Sequence, residues 1–366
     1  MTSHEPALGA TQNEIDTPAL LLDRSLLAGN IRAMAAITAP LHTRLRPHFK
    51  THKCVEIARM QLAEGATGIA CAKLGEAEVL AAGGVQDILV TSPIVGPQKI
   101  SRLVSLARQC AMATVVDDAE NVEQLSQSMA KAGATIRCLV ELNVGMNRCG
   151  VDAPAEALQL AEIIDASQSL TFGGIQAYEG HLRSVLPLSE RAARVEADLT
   201  KALEAKNVIE ARGIPVRTIT GGSTGTFRYV ADLPWISEVQ PGSYATMDVQ
   251  YRSVHVEGFS NALTVLTSVI SRRNASTAIV DAGFKAVSPE FGPPDVLVEG
   301  AKFTEFTEEQ GAISFDPPNP ELRIGDKIEL MPAHGCTTVN LYDVFHVMEN
   351  HRLVAIWPVA ARGRSQ

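Results

Sequence analysis

Short apolar runs alternate with longer amphipathic segments along the first two thirds of the chain. The apolar runs predict β-strands at 43–50, 68–73, 87–92, 113–117, 136–144, 170–178, 218–221 and 238–247. Between them, apolar residues recur at three- and four-residue spacing, which predicts helices, most of them ending on a glycine. This alternation predicts a parallel sheet. A closed (β/α)8 barrel suits roughly 200–230 residues better than an open doubly wound sheet, which stays the alternative.

The remainder of the chain has a different pattern. After about residue 252 the apolar runs are short, β-rich and interrupted by proline and glycine, which predicts a second, mainly antiparallel domain. The sequence ENHR at 349–352 separates two apolar runs and predicts a hairpin turn. A strand-like segment at 17–23 precedes the barrel pattern and is expected to pair with this domain. We therefore predict a barrel domain over 26–251 and a β-rich domain made of 1–25 and 252–366.

Charge and composition exclude several classes of function. The 366 residues include 32 Lys and Arg against 41 Asp and Glu, a net charge of −9, with no basic run, which argues against nucleic-acid binding. No apolar run reaches the roughly 18 residues of a membrane span. The N-terminal segment lacks the basic and apolar regions of a signal peptide, so we expect a cytoplasmic protein. The 6 cysteines form neither a disulfide framework nor a C-x-x-C zinc pattern.

The densest group of reactive side chains lies at the end of the first predicted barrel strand, in the sequence RPHFKTHK at 46–53. Active sites of barrels form at the carboxyl ends of the strands. A lysine on a half-buried strand, among other cations, is a candidate nucleophile. The alternative is a basic strand end that binds an anion or only makes a surface loop soluble.

A glycine-rich loop, GGSTGT at 221–226, follows the seventh predicted strand. Phosphate sites of barrels commonly form after strands seven and eight, although such a loop can also be a turn that needs positive φ. The residues expected to bind phosphate after these two strands are Gly222, Ser223, Thr224, Gly225, Gly242, Ser243 and Tyr244. A lysine after strand one and a phosphate loop after strand seven together predict pyridoxal 5'-phosphate, PLP.

Several motifs from about residue 16 to the C-terminus carry a resemblance to a known family: DTPALLLD, RPHFKTHK, VELNVGMNRCGV, IQAYEG, TGGSTGT, QPGSYATMD, VDAGFKAVSPEFGPP and PAHGCTTVNLYD. With them the chain resembles the alanine-racemase-like, fold-type III PLP enzymes. Within these it is similar to the D-threonine aldolase and D-serine dehydratase group. RPHFKTHK and PAHGC are the most specific of the motifs.

The resemblance implies roles for residues of the barrel. Lys50 is the expected Schiff-base lysine, and Lys53, which begins the next helix pattern, is the competing candidate. His48 is expected to contact the cofactor, and Tyr178 the cofactor or substrate, unless Tyr178 is a core tyrosine. Arg148 is expected to approach the cofactor ring. Because a guanidinium stays protonated, a pyridine nitrogen facing it stays unprotonated.

A second reactive cluster is His334-Gly335-Cys336. Residues two apart on a strand face the same side, so the imidazole and thiolate are placed to bind one cation. The pair alone is a common coincidence. Members of the group place a divalent metal on such a pair, His-x-Asp in many aldolases and His-x-Cys in the dehydratase branch. A thiolate favours zinc, with manganese and, more weakly, magnesium left open.

The base for the substrate hydroxyl is left open by the sequence. The aldolases carry a histidine a few residues beyond the strand-six tyrosine, where ungapped comparison places Ser184. His181, three residues earlier, is the candidate base, and an exposed loop histidine is the alternative. Gln310 is a second departure, since it replaces the histidine of the family's acidic-acidic-His-Gly element.

The resemblance implies a PLP- and metal-dependent lyase that cleaves a β-hydroxy D-amino acid to glycine and an aldehyde, as a homodimer. The alternative at the same site is β-elimination to a 2-oxo acid and ammonia, as in dehydratases of D-serine or D-3-hydroxyaspartate. Two other classes stay open: a non-catalytic PLP carrier, and a metal-dependent barrel hydrolase without an organic cofactor. The metal pair in the second domain argues against a carrier.

Overall fold

The computed structural model describes residues 6–366, so the first five residues of the predicted 1–25 segment lie outside the described residues. The α-helices are α1 (Arg24–Thr38), α2 (Val55–Ala63), α3 (Leu74–Ala82), α4 (Pro97–Ala107), α5 (Ala119–Ala132), α6 (Pro154–Asp165), α7 (Leu188–Glu210), α8 (Phe227–Ala231), α9 (Val249–Ser253) and α10 (Gly335–Val339). Short 3-10 helices span Gln12–Glu14, Phe49–Thr51, Gly180–Leu182 and Ser243–Ala245. In the described part of the chain, no helix is long and apolar enough to cross a membrane.

The predicted barrel strands form one parallel sheet. Its strands are β2 (Arg44–Leu45), β3 (Ile69–Cys71), β4 (Asp87–Val90), β5 (Ala111–Val116), β6 (Ile136–Glu141), β7 (Leu170–Gln176), β8 (Ile219–Gly221) and β9 (Glu238–Val239). The spatial order is β2-β9-β8-β7-β6-β5-β4-β3. A parallel bridge between His48 and Ala70 joins the segment after β2 to β3, the two ends of this order. The prediction of an eight-stranded α/β barrel is confirmed.

Two barrel strands are much shorter than predicted. The apolar runs 43–50 and 238–247 yield only β2 and β9, and Lys50 lies in a 3-10 helix instead of a strand. Hydrogen bonds between the two segments continue beyond the carboxyl ends of β2 and β9. Arg46 N donates to Val239 O (2.9 Å), and His48 N donates to Pro241 O (3.1 Å). Because Pro47 and Pro241 have no N–H to donate, they interrupt the regular ladder.

Residues close in sequence determine where helix α5 begins and ends. Asp118 caps α5 by accepting a hydrogen bond from Asn121 N at 2.8 Å, and Gly133 ends the helix at φ +60°.

Apolar side chains from three consecutive strands of the parallel sheet form a buried cluster: Leu89, Ala113, Val115 and Leu139. Burial on both faces explains why these strands are continuous apolar runs.

The predicted second domain contains a mixed sheet of nine strands within the described residues. They are β1 (Ala19–Asp23), β10 (Leu263–Asn274), β11 (Thr277–Val280), β12 (Asp295–Val296), β13 (Ala301–Phe306), β14 (Gly311–Phe315), β15 (Lys327–Met331), β16 (Val344–Glu349) and β17 (Arg352–Pro358). The main order is β13-β14-β11-β10-β1-β16-β17, with β15 pairing β10 and β12. The β1–β16 pair is parallel, whereas the other pairs are antiparallel. The mainly antiparallel architecture and the pairing of the N-terminal strand are confirmed.

The ENHR turn joins β16 to β17. Asn350 and His351 adopt φ +49° and +60°, as a two-residue hairpin turn with the twist of its strands requires. The predicted hairpin is therefore confirmed.

The chain divides into two compact units. The barrel unit comprises Met34–Lys50, Ile57–Gly242 and Arg364–Gln366, and the β unit comprises the chain up to Ala33 together with Thr51–Glu56 and Ser243–Gly363. The domain boundaries predicted at 26 and 251 stay a prediction. Each unit carries part of the candidate chemistry.

Candidate functional site

The side chain of Lys50 belongs to a small cavity of the barrel unit. The cavity is lined by His48, Lys50, Ala72, Thr91, Ser92, Arg148, Gln176, Tyr178 and Gln240. It therefore brings together the lysine, histidine, arginine and tyrosine named from the sequence. Their chemical roles stay predictions.

His48 shapes the turn that carries Lys50. Its Nδ1 accepts a hydrogen bond from the Lys50 backbone N at 3.3 Å, and its Nε2 lies 3.2 Å from Thr91 Oγ1. The imidazole is buried, so both ring nitrogens are used inside the protein. His48 therefore fixes the backbone from which the lysine projects.

Two cations lie near one aromatic ring in this cavity. Lys50 Nζ is 5.6 Å from the ring centroid of Tyr178, and the Arg148 guanidinium carbon is 5.4 Å from it. Both distances are within the range of cation–π attraction. Tyr178 is half-buried, so the structure does not place it in the apolar core. The alternative of a core tyrosine is wrong.

A polar network that sequence reasoning missed lies beside these side chains. Gln240 Nε2 donates to Gln176 Oε1 at 3.1 Å, and Gln176 Nε2 donates to Glu141 Oε2 at 2.6 Å. Burial raises the pKa of Glu141 to about 8, although the charge of Arg148 lowers it. Polar residues inside apolar strands were the available signal, in the runs VELN, IQAY and EVQP.

The glycine-rich loop after β8 is closed by internal hydrogen bonds. Ser223 N donates to Thr226 Oγ1 at 2.8 Å, and Gly225 N donates to Ser223 Oγ at 3.2 Å. Gly222 has φ +81°, and a Cβ on Gly225 would lie 2.3 Å from Arg183 O. Both positions therefore require glycine, and Thr224 between them is buried.

Glu179 holds this loop and was not identified from the sequence. Its carboxylate accepts hydrogen bonds from Gly222 N at 3.1 Å and from Thr226 Oγ1. The residue is fully buried, and burial raises the pKa of its carboxyl group. Its position directly after Tyr178 was the only sequence signal, since an acid is not expected beside a phosphate loop.

The residues after β9 have different surroundings. Gly242 ends the barrel unit, and the next residues, Ser243 and Tyr244, begin a 3-10 helix and are buried. The Tyr244 ring lies 5.6 Å from the ring of Phe259. Tyr244 therefore packs in the core of the β unit with its ring, and its predicted role toward phosphate stays a prediction.

The residues present in the barrel unit fit PLP. A primary amine and a guanidinium line one cavity beside an aromatic ring, and these are groups that can bind an aldehyde and face a pyridine nitrogen. The loop 221–226 provides hydroxyl groups and three glycine positions that a side chain would disturb, Gly221 and Gly225 through close backbone contacts and Gly222 through its positive φ. Such a loop allows the close approach of an anionic group.

His181 lies on the 3-10 helix that follows β7. Its Nε2 is 2.9 Å from Asp198 Oδ2 on α7, and Nδ1 is buried with no hydrogen-bond partner within residues 6–366. A Cβ on Gly145 would lie 3.0 Å from Nε2. The histidine is thus held by a carboxylate that sequence reasoning did not identify, and its role as a base stays a prediction.

His334 and Cys336 do not lie on a strand, so that prediction is wrong. His334 is the extended residue before α10, and Cys336 lies in the first turn of this helix. Gly335 N donates to Asp248 Oδ2 at 3.0 Å, and Thr338 Oγ1 donates to His334 O at 2.9 Å. These side-chain hydrogen bonds stabilise a short helix that the apolar pattern does not reveal.

The two predicted metal ligands nevertheless lie together. Burial lowers the pKa of His334, but hydrogen bonding and charge from Cys336, the hydrogen bond to Glu290 and the charge of Asp248 together more than offset this effect, and the pKa is raised to about 9. The Cys336 sulfur also lies 3.5 Å from Thr51 Oγ1 and 3.9 Å from Ser243 Oγ. Thr51 directly follows Lys50 in the chain, and Ser243 directly follows Gly242.

The donor set of this pair fits an open metal site. Across residues 6–366, no group of three or more His, Cys, Asp or Glu side chains is arranged to hold a metal ion. An imidazole and a thiolate supply two protein ligands and would leave coordination positions for other groups. Such a pair favours zinc over harder cations.

Comparisons with known proteins agree with this architecture over nearly the whole chain. Residues 22–250 match the family described as alanine racemase, N-terminal domain, and residues 262–348 match the “Putative serine dehydratase domain” family. The chain is 39% identical to a D-threonine aldolase of Arthrobacter sp., covering 96% of this chain and 94% of that protein. It is 36% identical to a 3-hydroxy-D-aspartate aldolase of Paracoccus denitrificans (strain Pd 1222), over 98% and 95% of the two chains.

A solved structure gives the same result. The crystal structure of D-threonine aldolase from Filomicrobium marinum is similar to this chain with a TM-score of 0.95 and 35% identity, over 98% of this chain and 99% of the other. Both the fold and the resemblance expected from the motifs are therefore confirmed. The chain belongs to the alanine racemase N-terminal domain family, with D-threonine aldolase and 3-hydroxy-D-aspartate aldolase as homologues.

Proposed function

We propose that this protein is a PLP- and divalent-metal-dependent lyase that cleaves a β-hydroxy D-amino acid to glycine and an aldehyde. The observation that carries the proposal is the cavity of Lys50, Arg148 and Tyr178 in a chain whose near-full-length relatives are named aldolases. The cavity supplies the amine that PLP chemistry needs. The names of the relatives indicate which bond of a D-amino acid is broken.

The barrel unit would hold the cofactor. Lys50 would bind it covalently through its amine, with His48 fixing the lysine backbone and Tyr178 beside both cations. When bound, PLP supplies a ring that withdraws electrons from a bond broken at the substrate Cα. A guanidinium stays protonated, so Arg148 would donate a hydrogen bond to the ring nitrogen of the bound cofactor and could not accept one from it.

The phosphate would be bound at the loop after β8. Gly222, Ser223, Thr224 and Gly225 form this loop, and Gly242, Ser243 and Tyr244 follow the next strand. The loop is rigid before any ligand binds, because its hydroxyl and N–H groups bond to each other and to Glu179. A preformed loop reduces the ordering entropy lost on binding.

The β unit would hold the metal through His334 and Cys336. A divalent metal supplies a Lewis acid for a hydroxyl group. Zinc is the expected ion because one ligand is a thiolate, with manganese and more weakly magnesium as alternatives. Asp248 fixes the backbone at Gly335 between the two ligands, so their spacing is set by the fold.

Retro-aldol cleavage requires a group that accepts the hydroxyl proton while the Cα–Cβ bond breaks. We assign this proton to His181. Asp198 accepts a hydrogen bond from Nε2 of His181 and would stabilise the imidazolium that forms, as carboxylates do for catalytic histidines. Because Nε2 is bonded to Asp198, the nitrogen that would receive the proton is Nδ1, which is buried and has no hydrogen-bond partner within residues 6–366.

β-Elimination is the second candidate function. In this reaction Lys50 takes the α-proton and the β-hydroxyl leaves, giving a 2-oxo acid and ammonia. The observations that favour it are the His-x-Cys pair and the match of residues 262–348 to the dehydratase domain family. Identity to the two aldolases over nearly the whole chain favours cleavage of the Cα–Cβ bond.

A homodimer and a cytoplasmic location complete the proposal. Both are supported by the resemblance described for the sequence. The mass of the purified protein in solution, measured by light scattering, tests the dimer against a monomer of 39.1 kDa.

Product analysis tests the proposed reaction. The protein loaded with PLP and metal is incubated separately with D-threonine and D-serine, and aldehyde, glycine, 2-oxo acid and ammonia are measured. We expect glycine and an equal amount of acetaldehyde from D-threonine. A 2-oxo acid with ammonia, and no glycine, would establish the dehydratase instead.

A further inference from the structure

The segment 288–292 of the β unit packs on the residue proposed as a metal ligand. Glu290 Oε2 lies 2.8 Å from His334 Nδ1. The ring of Phe291 lies 5.0 Å from the imidazole ring, tilted by 50°. One face and one nitrogen of His334 are therefore occupied by two consecutive residues from a distant part of the chain.

The segment is fastened to the helix that carries the metal pair. Ser288 N donates to Thr338 Oγ1 at 3.2 Å, and the same hydroxyl donates to His334 O at 2.9 Å. Glu290 N in turn donates to Ser288 Oγ at 3.3 Å. This chain of hydrogen bonds fixes Glu290 relative to the backbone of His334, so their contact does not depend on one flexible side chain.

The backbone of Phe291 adds a second observation. It adopts φ +69°, in the left-handed region that a bulky residue rarely enters, and Gly292 follows at φ +111°. Strained residues persist where the surrounding structure over-determines them, and they cluster at functional sites. The ring nevertheless stays 48% exposed, so burial in the core does not explain this conformation.

The hydrogen bond determines which imidazole nitrogen is available. An ionised carboxylate only accepts hydrogen bonds, so Nδ1 carries a proton in the contact with Glu290. A neutral imidazole then has its lone pair on Nε2. Carboxylates in this position orient the ligand ring and strengthen its donor nitrogen in metal sites generally.

We propose that Glu290 is a positioning residue for the metal site, holding His334 so that Nε2 binds the ion, with Phe291 packing against the same ring. This inference rests on the proposed metal site of His334 and Cys336. It extends that site by a residue 44 positions away in sequence, whose side chain is 42% exposed and takes no part in the core. Substitution of Glu290 is therefore not expected to unfold the protein.

The test measures metal affinity directly on the full-length, PLP-loaded protein. Zn²⁺ is titrated against a chromogenic chelator for the parent, Glu290→Ala, Glu290→Gln and the control Glu299→Ala. Glu299 is an exposed acid of the same unit, and its side chain makes no hydrogen bond or ion pair with any of residues 6–366. Co²⁺ titration provides a second readout, since thiolate-to-cobalt absorption reports coordination by Cys336 independently of turnover.

Glu290→Ala is expected to weaken Zn²⁺ binding by about 10- to 100-fold, the usual effect of losing such a partner. Glu290→Gln keeps an oxygen that accepts from Nδ1 and should lose less, and Glu299→Ala should bind like the parent. If Glu290→Ala binds Zn²⁺ as tightly as Glu299→Ala, the role of Glu290 is refuted while the metal site stands. If the parent itself binds neither Zn²⁺ nor Co²⁺ at this site, the proposed metal site fails, and this inference fails with it.

Discussion

The lysine region (His48, Lys50, Arg148 and Tyr178) and the metal region (His334, Cys336 and Glu290) are built in different ways. Each member of the lysine region follows a strand of one repeating parallel sheet. The metal region depends on a five-residue helix and on side chains from distant segments. The first arrangement follows from the barrel architecture, whereas the second depends on individual long-range hydrogen bonds.

This difference indicates which properties each region should control. Parallel strands of a barrel direct their carboxyl ends to one face, so the lysine region is preorganised by the sheet. The metal region lies in the β unit, whereas the residues that line the cavity of Lys50 belong to the barrel unit. Changes in the lysine region should therefore alter cofactor binding, and changes in the metal region should alter turnover without releasing the cofactor.

The largest effect is expected for Lys50. Lys50→Ala should abolish turnover and the yellow colour of the purified protein, because the amine proposed to bind PLP is removed. In the parent, borohydride reduction followed by peptide mapping should find the label on Lys50. Lys53→Arg is the control, since Lys53 Nζ donates to Ala361 O at 3.5 Å and is assigned no catalytic role. A label on Lys53 would refute the assignment.

The metal ligands should have the next largest effect. His334→Ala and Cys336→Ala are expected to lower kcat by about 10²- to 10³-fold, because a Lewis acid contributes several kcal/mol to a reaction of this kind. Both variants should stay yellow. Measuring turnover and visible absorbance together sharpens the contrast between the regions. Full turnover of either variant after chelation would remove the metal from the reaction.

His181 tests whether the barrel unit also supplies the base. His181→Ala should lower turnover by about 10²-fold, the usual contribution of a general base, without changing the absorbance of bound cofactor. Asp198→Asn keeps the shape of the partner and should lower turnover less. His42→Ala, at an exposed histidine of the same unit, is the control and should match the parent. Parental turnover of His181→Ala would exclude it as the base.

The smallest effect concerns stability and Glu141. Burial raises the pKa of this carboxyl group from 4.5 to about 8, so the folded protein holds its proton where the unfolded chain has lost it. Its contribution to stability is fully present below pH 4.5 and is lost as pH rises through about 8. Glu141→Gln stays uncharged, so it should not share this loss. The Tm of the variant minus the Tm of the parent should therefore increase as pH rises from 5 to 8. Parallel Tm curves of the two proteins would contradict this result.

Local patterns account for what the sequence could predict. The order of strands and helices, the hairpin at 349–352 and the position of Lys50 after the first barrel strand depend on apolar periodicity and turn residues close in sequence. The arrangement of Glu179, Asp198 and Glu290 could not be predicted in this way. Each of these acids acts through a partner 17 to 47 positions away, and nothing in the local pattern marks it.

At His334 the sequence predicted which residues lie together but not their backbone conformation. Spacing alone correctly grouped His334 with Cys336, but it assigned them to a strand. The helical turn is stabilised by Thr338, four residues from His334, and by Asp248, whose contribution appears only in three dimensions. Chemistry carried by neighbouring residues is therefore easier to predict than the backbone that presents it.

A metal-titrated product assay tests the central claim most directly, because it requires both regions to serve one reaction. The chelated, PLP-loaded protein is supplied with increasing Zn²⁺ or Mn²⁺ and D-threonine, and glycine, acetaldehyde and ammonia are measured together. We expect glycine and acetaldehyde in equal amounts, increasing with bound metal, and no ammonia. Equal product formation with and without metal, or ammonia in place of glycine, would contradict it.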